Sequence, residues 1–192
     1  MPVPIQGRAA EDLRFIRRAM ERSSTFTAVP GYGGAAMGAV GVIAAVAGAM
    51  QPMGERWLAG WLTAAAVAFA IGVVAMRRKA AQAGVPLRGA LARRFAMGLT
   101  APLAAGAALT AGLSSAGNWT LMPSVWLLLY GAGVVTGGIL SVPTVLIMGL
   151  CFMVLGVVAM VTPAEWGDLW LGVGFGFVQV CFGLYIARKH GG

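Results

Sequence analysis

Few side chains able to donate, accept or move a proton fall inside the long apolar runs of this chain. The strongest is Gln179, accompanied by Thr63, Thr110, Thr136 and Thr144. An amide and a few hydroxyls in apolar surroundings have two uses. They can line a path for a neutral solute, for which Gln179 and Thr136 are the candidates, or they can hydrogen-bond across to a neighbouring helix, which is the expected use. No Asp, Glu, Lys, Arg or His lies between the ends of any run. Each would cost about 2.5 to 3.5 kcal/mol at mid-helix on the insertion scale. Proton-coupled transport through carboxylates is therefore disfavoured.

The remaining reactive residue types are scattered. Cys151 and Cys181 both sit within apolar runs, where a thiolate is costly, so they are expected as small apolar fillers rather than a redox pair. His190 is the single histidine and lies in the tail, leaving no intramembrane haem ligand and no zinc cluster. Ser114 and Ser115 have no base nearby in the sequence. Glu55, Glu165 and Asp168 read as solvated loop charges. Gly172-Val173-Gly174-Phe175-Gly176 lacks the preceding strand and the lysine that a phosphate loop needs. Gly31-Tyr32-Gly33-Gly34 opens a helix, whose amino terminus favours anions, but a flexible turn into the membrane is the expected role. No catalytic, cofactor or metal site is expected, and the chain does not read as an enzyme.

The elements that hold these residues follow from composition. Of 192 residues, 59% are hydrophobic and 10% charged, and the mean hydropathy is +0.82. A soluble domain carries roughly 25% charged residues, so this chain cannot cover a water-facing surface. Six apolar runs approach the roughly 20 residues that a bilayer core of about 30 Å demands. They are Gly31–Met50, Trp57–Met76, Phe95–Leu113, Met122–Leu140, Val142–Val161 and Leu169–Ala187. The fourth and fifth are separated only by Leu140-Ser141-Val142-Pro143, where Pro143 gives the chain a reason to turn. The fold expected is an all-α bundle of six transmembrane helices over residues 31–192, preceded by a cytoplasmic leader over 1–30.

Charge sets the orientation. Thirteen of the fourteen Lys and Arg fall in the leader, the second loop and the tail, which six spans place on one face; only Arg56 lies opposite. By the positive-inside rule that face is cytoplasmic, with both termini there. All six tryptophans, Trp57, Trp61, Trp119, Trp126, Trp166 and Trp170, fall in or near the other three loops, where indole rings favour the headgroup level. The net charge of +8 therefore belongs at a lipid surface and not on nucleic acid. Ala45-Val46-Ala47 imitates a signal cleavage site, but the charged stretch from Arg8 to Arg22 is too long for an ordinary signal peptide. The first and last hairpins share Pro52, Glu55, Trp57, Trp61 and Arg77-Arg78-Lys79 against Pro163, Glu165, Trp166, Trp170 and Arg188-Lys189. Common charge and tryptophan rules account for that likeness without a repeat.

A short helix over Glu11 to Ser23 is expected ahead of the first span. Leu13, Ile16, Ala19 and Met20 form its apolar stripe and Arg14, Arg17, Arg18 and Arg22 the rest, so it should lie in the cytoplasmic interface. These arginines, with Arg77, Arg78 and Lys79 of the second loop, are the candidate contacts for anionic headgroups or for another protein. Glycine pairs at i, i+4 (Gly34 with Gly38, Gly133 with Gly137, Gly172 with Gly176) predict close helix packing, internal rather than against a partner chain.

The stretches Phe15-Ile16-Arg17-Arg18-Ala19-Met20-Glu21 and Phe26-Thr27-Ala28-Val29-Pro30-Gly31-Tyr32-Gly33-Gly34 resemble the opening of a group of uncharacterised bacterial multi-spanning membrane proteins. Tyr130-Gly131-Ala132-Gly133-Val134-Val135-Thr136-Gly137-Gly138 and Met148-Gly149-Leu150-Cys151-Phe152-Met153 are similar to its later signatures. The resemblance covers nearly the whole chain and implies a bacterial inner-membrane location, without any activity or site residues. The leading functional expectation is a structural, regulatory or accessory membrane protein acting through a partner or a lipid. The alternative is a small transporter or channel for a neutral or apolar solute.

Overall fold

The structure, a computed structural model, describes residues 29–82, 84, 89–139 and 141–190, without the side chain of His190. The leader helix, with Arg14, Arg17, Arg18 and Arg22, lies outside the described residues, as does Arg88. The described chain folds into helices α1 (Gly31–Ala49), α2 (Glu55–Gln82), α3 (Ala90–Ser115), α4 (Met122–Gly138), α5 (Pro143–Val161), α6 (Gly167–Leu171) and α7 (Gln179–His190). A seven-residue π-helical segment, Gly172–Val178, joins α6 to α7, so the last two helices form one rod. Six helical units are long and apolar enough to cross a membrane, the sixth running Ala164–Lys189. The chain is thus an all-α, multi-pass membrane bundle.

Helix ends depart from the apolar runs in an instructive way. α2 continues past Met76 through Arg77, Arg78 and Lys79 to Gln82, and α3 begins at Ala90, ahead of Phe95. Hydrophobicity marks the hydrocarbon thickness, whereas Arg, Lys and Ala are good helix formers that carry the backbone coil on into the headgroups. The turn between the fourth and fifth spans falls as expected: α4 stops at Gly138 and Pro143 opens α5 at a first-turn position, where its missing N–H is harmless.

Successive helices run antiparallel. Lys79 Nζ, at the end of α2, donates to Val29 O just before α1 (3.0 Å). Gly31 meets Ala187 and Gly48 meets Asp168, so the sixth span lies along α1 in the opposite sense. Gly133 and Gly137 of α4 face Leu99 and Phe95 of α3. As a result Arg77, Arg78, Lys79, Arg93, Arg94, Arg188 and Lys189 gather at one end, called here the basic end. The tryptophans gather at the other. Among the described Lys and Arg, Arg56 alone stands at the tryptophan end.

α1 packs between α2 and the sixth span, and α4 packs between α3 and α5. α4 and α5 also close against the sixth span and complete the bundle. α2 and α3 are the outermost helices and bury little of their apolar length. Among the fully buried large side chains, Trp57, Met122, Leu127 and Leu171 lie toward the tryptophan end, with Phe152 deeper. Elsewhere, glycines bring backbones together: a side-chain carbon on Gly149 would lie 2.7 Å from Val135 N, and one on Gly38 would lie 2.7 Å from Val180 N. All the predicted glycine pairs face neighbours inside the chain: Gly34 meets Gly183, Gly172 meets Ala45 and Gly176 meets Val42. Valines, leucines, isoleucines and phenylalanines such as Ile43, Phe69, Val154 and Phe177 point outward, as side chains solvated by lipid do.

Candidate functional site

At the tryptophan end, α2 places Trp57 and Trp61 one helical turn apart on a single face, and α6 points Asp168 at them. Trp57 Nε1 donates to Asp168 Oδ1 at 2.8 Å and Trp61 Nε1 donates to the same oxygen at 3.0 Å. Gly48 of α1 lies against that oxygen, leaving no room for a side chain. This corrects the reading of Asp168 as a solvated loop charge: Glu55 and Glu165 are exposed, whereas Asp168 is only 7% exposed. Two of the six indoles also turn into the bundle rather than outward. Trp57 is wholly buried and Trp61 nearly so, while Trp166 is half exposed. The physical reason is the need of a buried indole N–H for an acceptor, and of a buried carboxylate for donors. Each supplies the other.

The aromatic rings continue inward from this clamp. Trp57 stacks on Trp126 of α4 with centroids 5.4 Å apart and ring planes within 9°. Trp61 meets Phe175 in the π-helical segment at 6.4 Å, and Phe175 meets Tyr130 at 5.0 Å and Phe152 at 5.3 Å. Trp126 Nε1 donates to Thr110 Oγ1 of α3 (2.8 Å), whose hydroxyl in turn donates to Gly106 O (2.7 Å). Five helical elements are thereby tied through one aromatic column.

The polar residues singled out in the sequence are placed as follows. Gln179 is buried, and its Oε1 accepts from Tyr130 Oη of α4 at 3.4 Å. Thr136 does not adjoin it. Its hydroxyl reaches Gly98 O of α3 at 2.6 Å and stands 2.9 Å from Ala132 O on its own helix. Thr63 donates to Ala59 O, four residues back on its own helix. Every fully occluded side-chain nitrogen and oxygen among the described residues has a partner. Cys151 and Cys181 are both free thiols, the latter exposed. No group of three metal-binding side chains assembles among the described residues.

At the basic end, Arg77, Arg78 and Lys79 close α2. Arg77 and Arg78 are exposed, and Lys79 is drawn in by its bond to Val29 O. A groove of about 560 Å³ runs along the seam of α1 and α2 here, lined by Tyr32, Ala70, Val74, Arg78, Lys79 and Gln82 among others. A second groove, of about 360 Å³, follows the same seam near the tryptophan end beside Gln51, Gly60 and Thr63.

Compared with known proteins, the chain matches no family model, no curated protein and no solved structure.

The Asp168 clamp is the feature that reading the sequence missed. Its signal was present: two tryptophans at i, i+4 share a face, and a turn-forming Gly167-Asp168 pair stands where the sixth span begins. What a linear reading lacks is the direction of that face.

Proposed function

We propose that the chain is a structural, regulatory or accessory protein of a bacterial inner membrane that acts through the basic end of its bundle. In this reading the basic end faces the cytoplasm and meets another protein or anionic headgroups, and the contacts are Arg77, Arg78 and Lys79 together with the leader arginines Arg14, Arg17, Arg18 and Arg22. The observation that carries it is the division of polar groups between interior and surface. Inside, Asp168, Gln179 and Thr110 bond to neighbouring helices, which is how membrane helices are fastened together. Outside, cationic side chains collect at one end beside an open groove. Positive charge near an anionic leaflet gains about 1 kcal/mol per side chain, so this end has binding energy to offer. Nucleic acid, metal and cofactor have no part in this reading, nor does catalysis. Crosslinking in native membranes followed by purification in mild detergent should recover a stable complex or a bound lipid. A bare monomer with no lipid preference would sink the proposal.

Transport of a neutral or apolar solute is the second reading, favoured by one observation: the Tyr130–Gln179 pair is a polar contact deep between α4 and the sixth span. On this reading Gln179→Leu slows solute uptake in proteoliposomes. Uptake that is unchanged, or absent in both forms, counts against it.

A further inference from the structure

The groove at the basic end has two chemically distinct parts. One wall, Ala70, Ile71, Val74 and Ala75 of α2, is apolar and faces Pro30 and Gly33 of the opposite helix start. The mouth carries Arg78, Lys79, Gln82 and Tyr32, all able to donate hydrogen bonds. From Ala70 to Arg78 the groove extends about 12 Å along α2 at 1.5 Å per residue. That matches most of one leaflet's hydrocarbon depth, about 15 Å, being half of a 30 Å core.

We infer that this groove is a binding site for one anionic phospholipid, its acyl chain along Ala70, Val74 and Ala75 and its phosphate at Arg78. The inference rests on the basic end being the working surface and names the ligand of that surface. Arg78 is the residue placed to select the headgroup, because it is exposed at the mouth and its guanidinium matches a phosphodiester with paired donors. Lys79 has a different part. Its ammonium spends a hydrogen bond on Val29 O, which fixes the start of α1 against α2 and holds the groove's shape, while its charge remains at the mouth. Tyr32 is 64% exposed, and its ring suits the depth where chain meets headgroup. Gly33 is required by the same geometry, since a side-chain carbon there would overlap Ala75 on the floor of the groove.

The test is lipid retention by the full chain. The protein is equilibrated in nanodiscs of mixed phosphatidylcholine and phosphatidylglycerol, transferred to mild detergent, and its bound lipid quantified by mass spectrometry. The wild type should retain phosphatidylglycerol in clear excess over its share of the nanodisc. Arg78→Gln should cut that excess about fivefold, the equivalent of one basic side chain at an anionic surface. Ala70→Trp, at an exposed position on the apolar wall, should reduce retention of both lipids by filling the groove. Equal retention of the two lipids by the wild type, or an excess untouched by both variants, overturns the inference. Crosslinking yields to other proteins, measured on the same variants, separate this outcome from failure of the wider reading. A partner that persists without lipid selectivity removes the lipid site and leaves the basic end as a protein-binding surface.

Discussion

Asp168 shows how much one carboxylate can fasten in a bundle that has no other interior acid among its described residues. It holds two indole N–H groups of α2 against Gly48 of α1, where all three helices meet. Asp168→Leu strands both donors in the interior, at about 1 to 3 kcal/mol for each. Asp168→Asn retains an acceptor of the same shape and should lose much less. Thermal or SDS unfolding in detergent checks the difference, and a leucine variant as stable as wild type would deny the clamp any structural value. Thr136→Val removes an interhelical bond to Gly98 O and should cost about 0.6 kcal/mol, the average for such bonds in bilayers, and no more than about 1.7 kcal/mol. The cross-helix role of Gln179 was legible in the sequence, since an amide among apolar residues has few other stable uses. The role of Asp168 was not, because a charge at the boundary of an apolar run looks identical whether it turns outward or inward.

Between elements, glycine decides the distance of approach. Gly149 sits where α5 meets the backbone of α4, and any side chain there would force the two helices apart. Gly149→Val should therefore destabilise the protein by a few kcal/mol, in the manner of an overpacked core. Gly112 lies near the end of α3 with nothing close to it. Gly112→Ala should be neutral or stabilising by up to about 1 kcal/mol, the helix-propensity difference. The two variants, compared by unfolding in the same detergent, separate packing from propensity; equal effects would contradict this account. The sequence announced close packing through its i, i+4 glycines. It also announced the sharp turn at Pro143. Unannounced were the lengths of α2 and α3, since apolarity ends at the headgroups while the helix does not, and the π-helical stretch, which no residue pattern specifies.

At the scale of the whole molecule, six spans were readable because hydrocarbon thickness leaves little freedom in how long an apolar helix must be. The order of packing was not readable. These helices are apolar on all sides, so no polar stripe indicates which face turns inward, as it would in a soluble bundle. That α2 and α3 would lie outermost, and that α1 and α4 would each be flanked by two neighbours, emerges only from where the glycines and the aromatic column meet. The gathering of the basic residues at one end predicts that reporters fused to the two termini fall in the same compartment. Reporters in opposite compartments would require an odd number of crossings and would overturn the bundle described here.

The π-helical turn at Gly172–Val178 lies between the residue that grips Trp57 and Trp61 and the one that meets Tyr130. Restoring ordinary α geometry there with every residue kept would swing everything beyond it by about 100° around the rod axis, the turn of the one extra residue that a π coil absorbs. Asp168 and Gln179 could then no longer both find their mates. The loosened coil thus works as a phase adjuster, letting two fastenings at different depths coexist on a single rod.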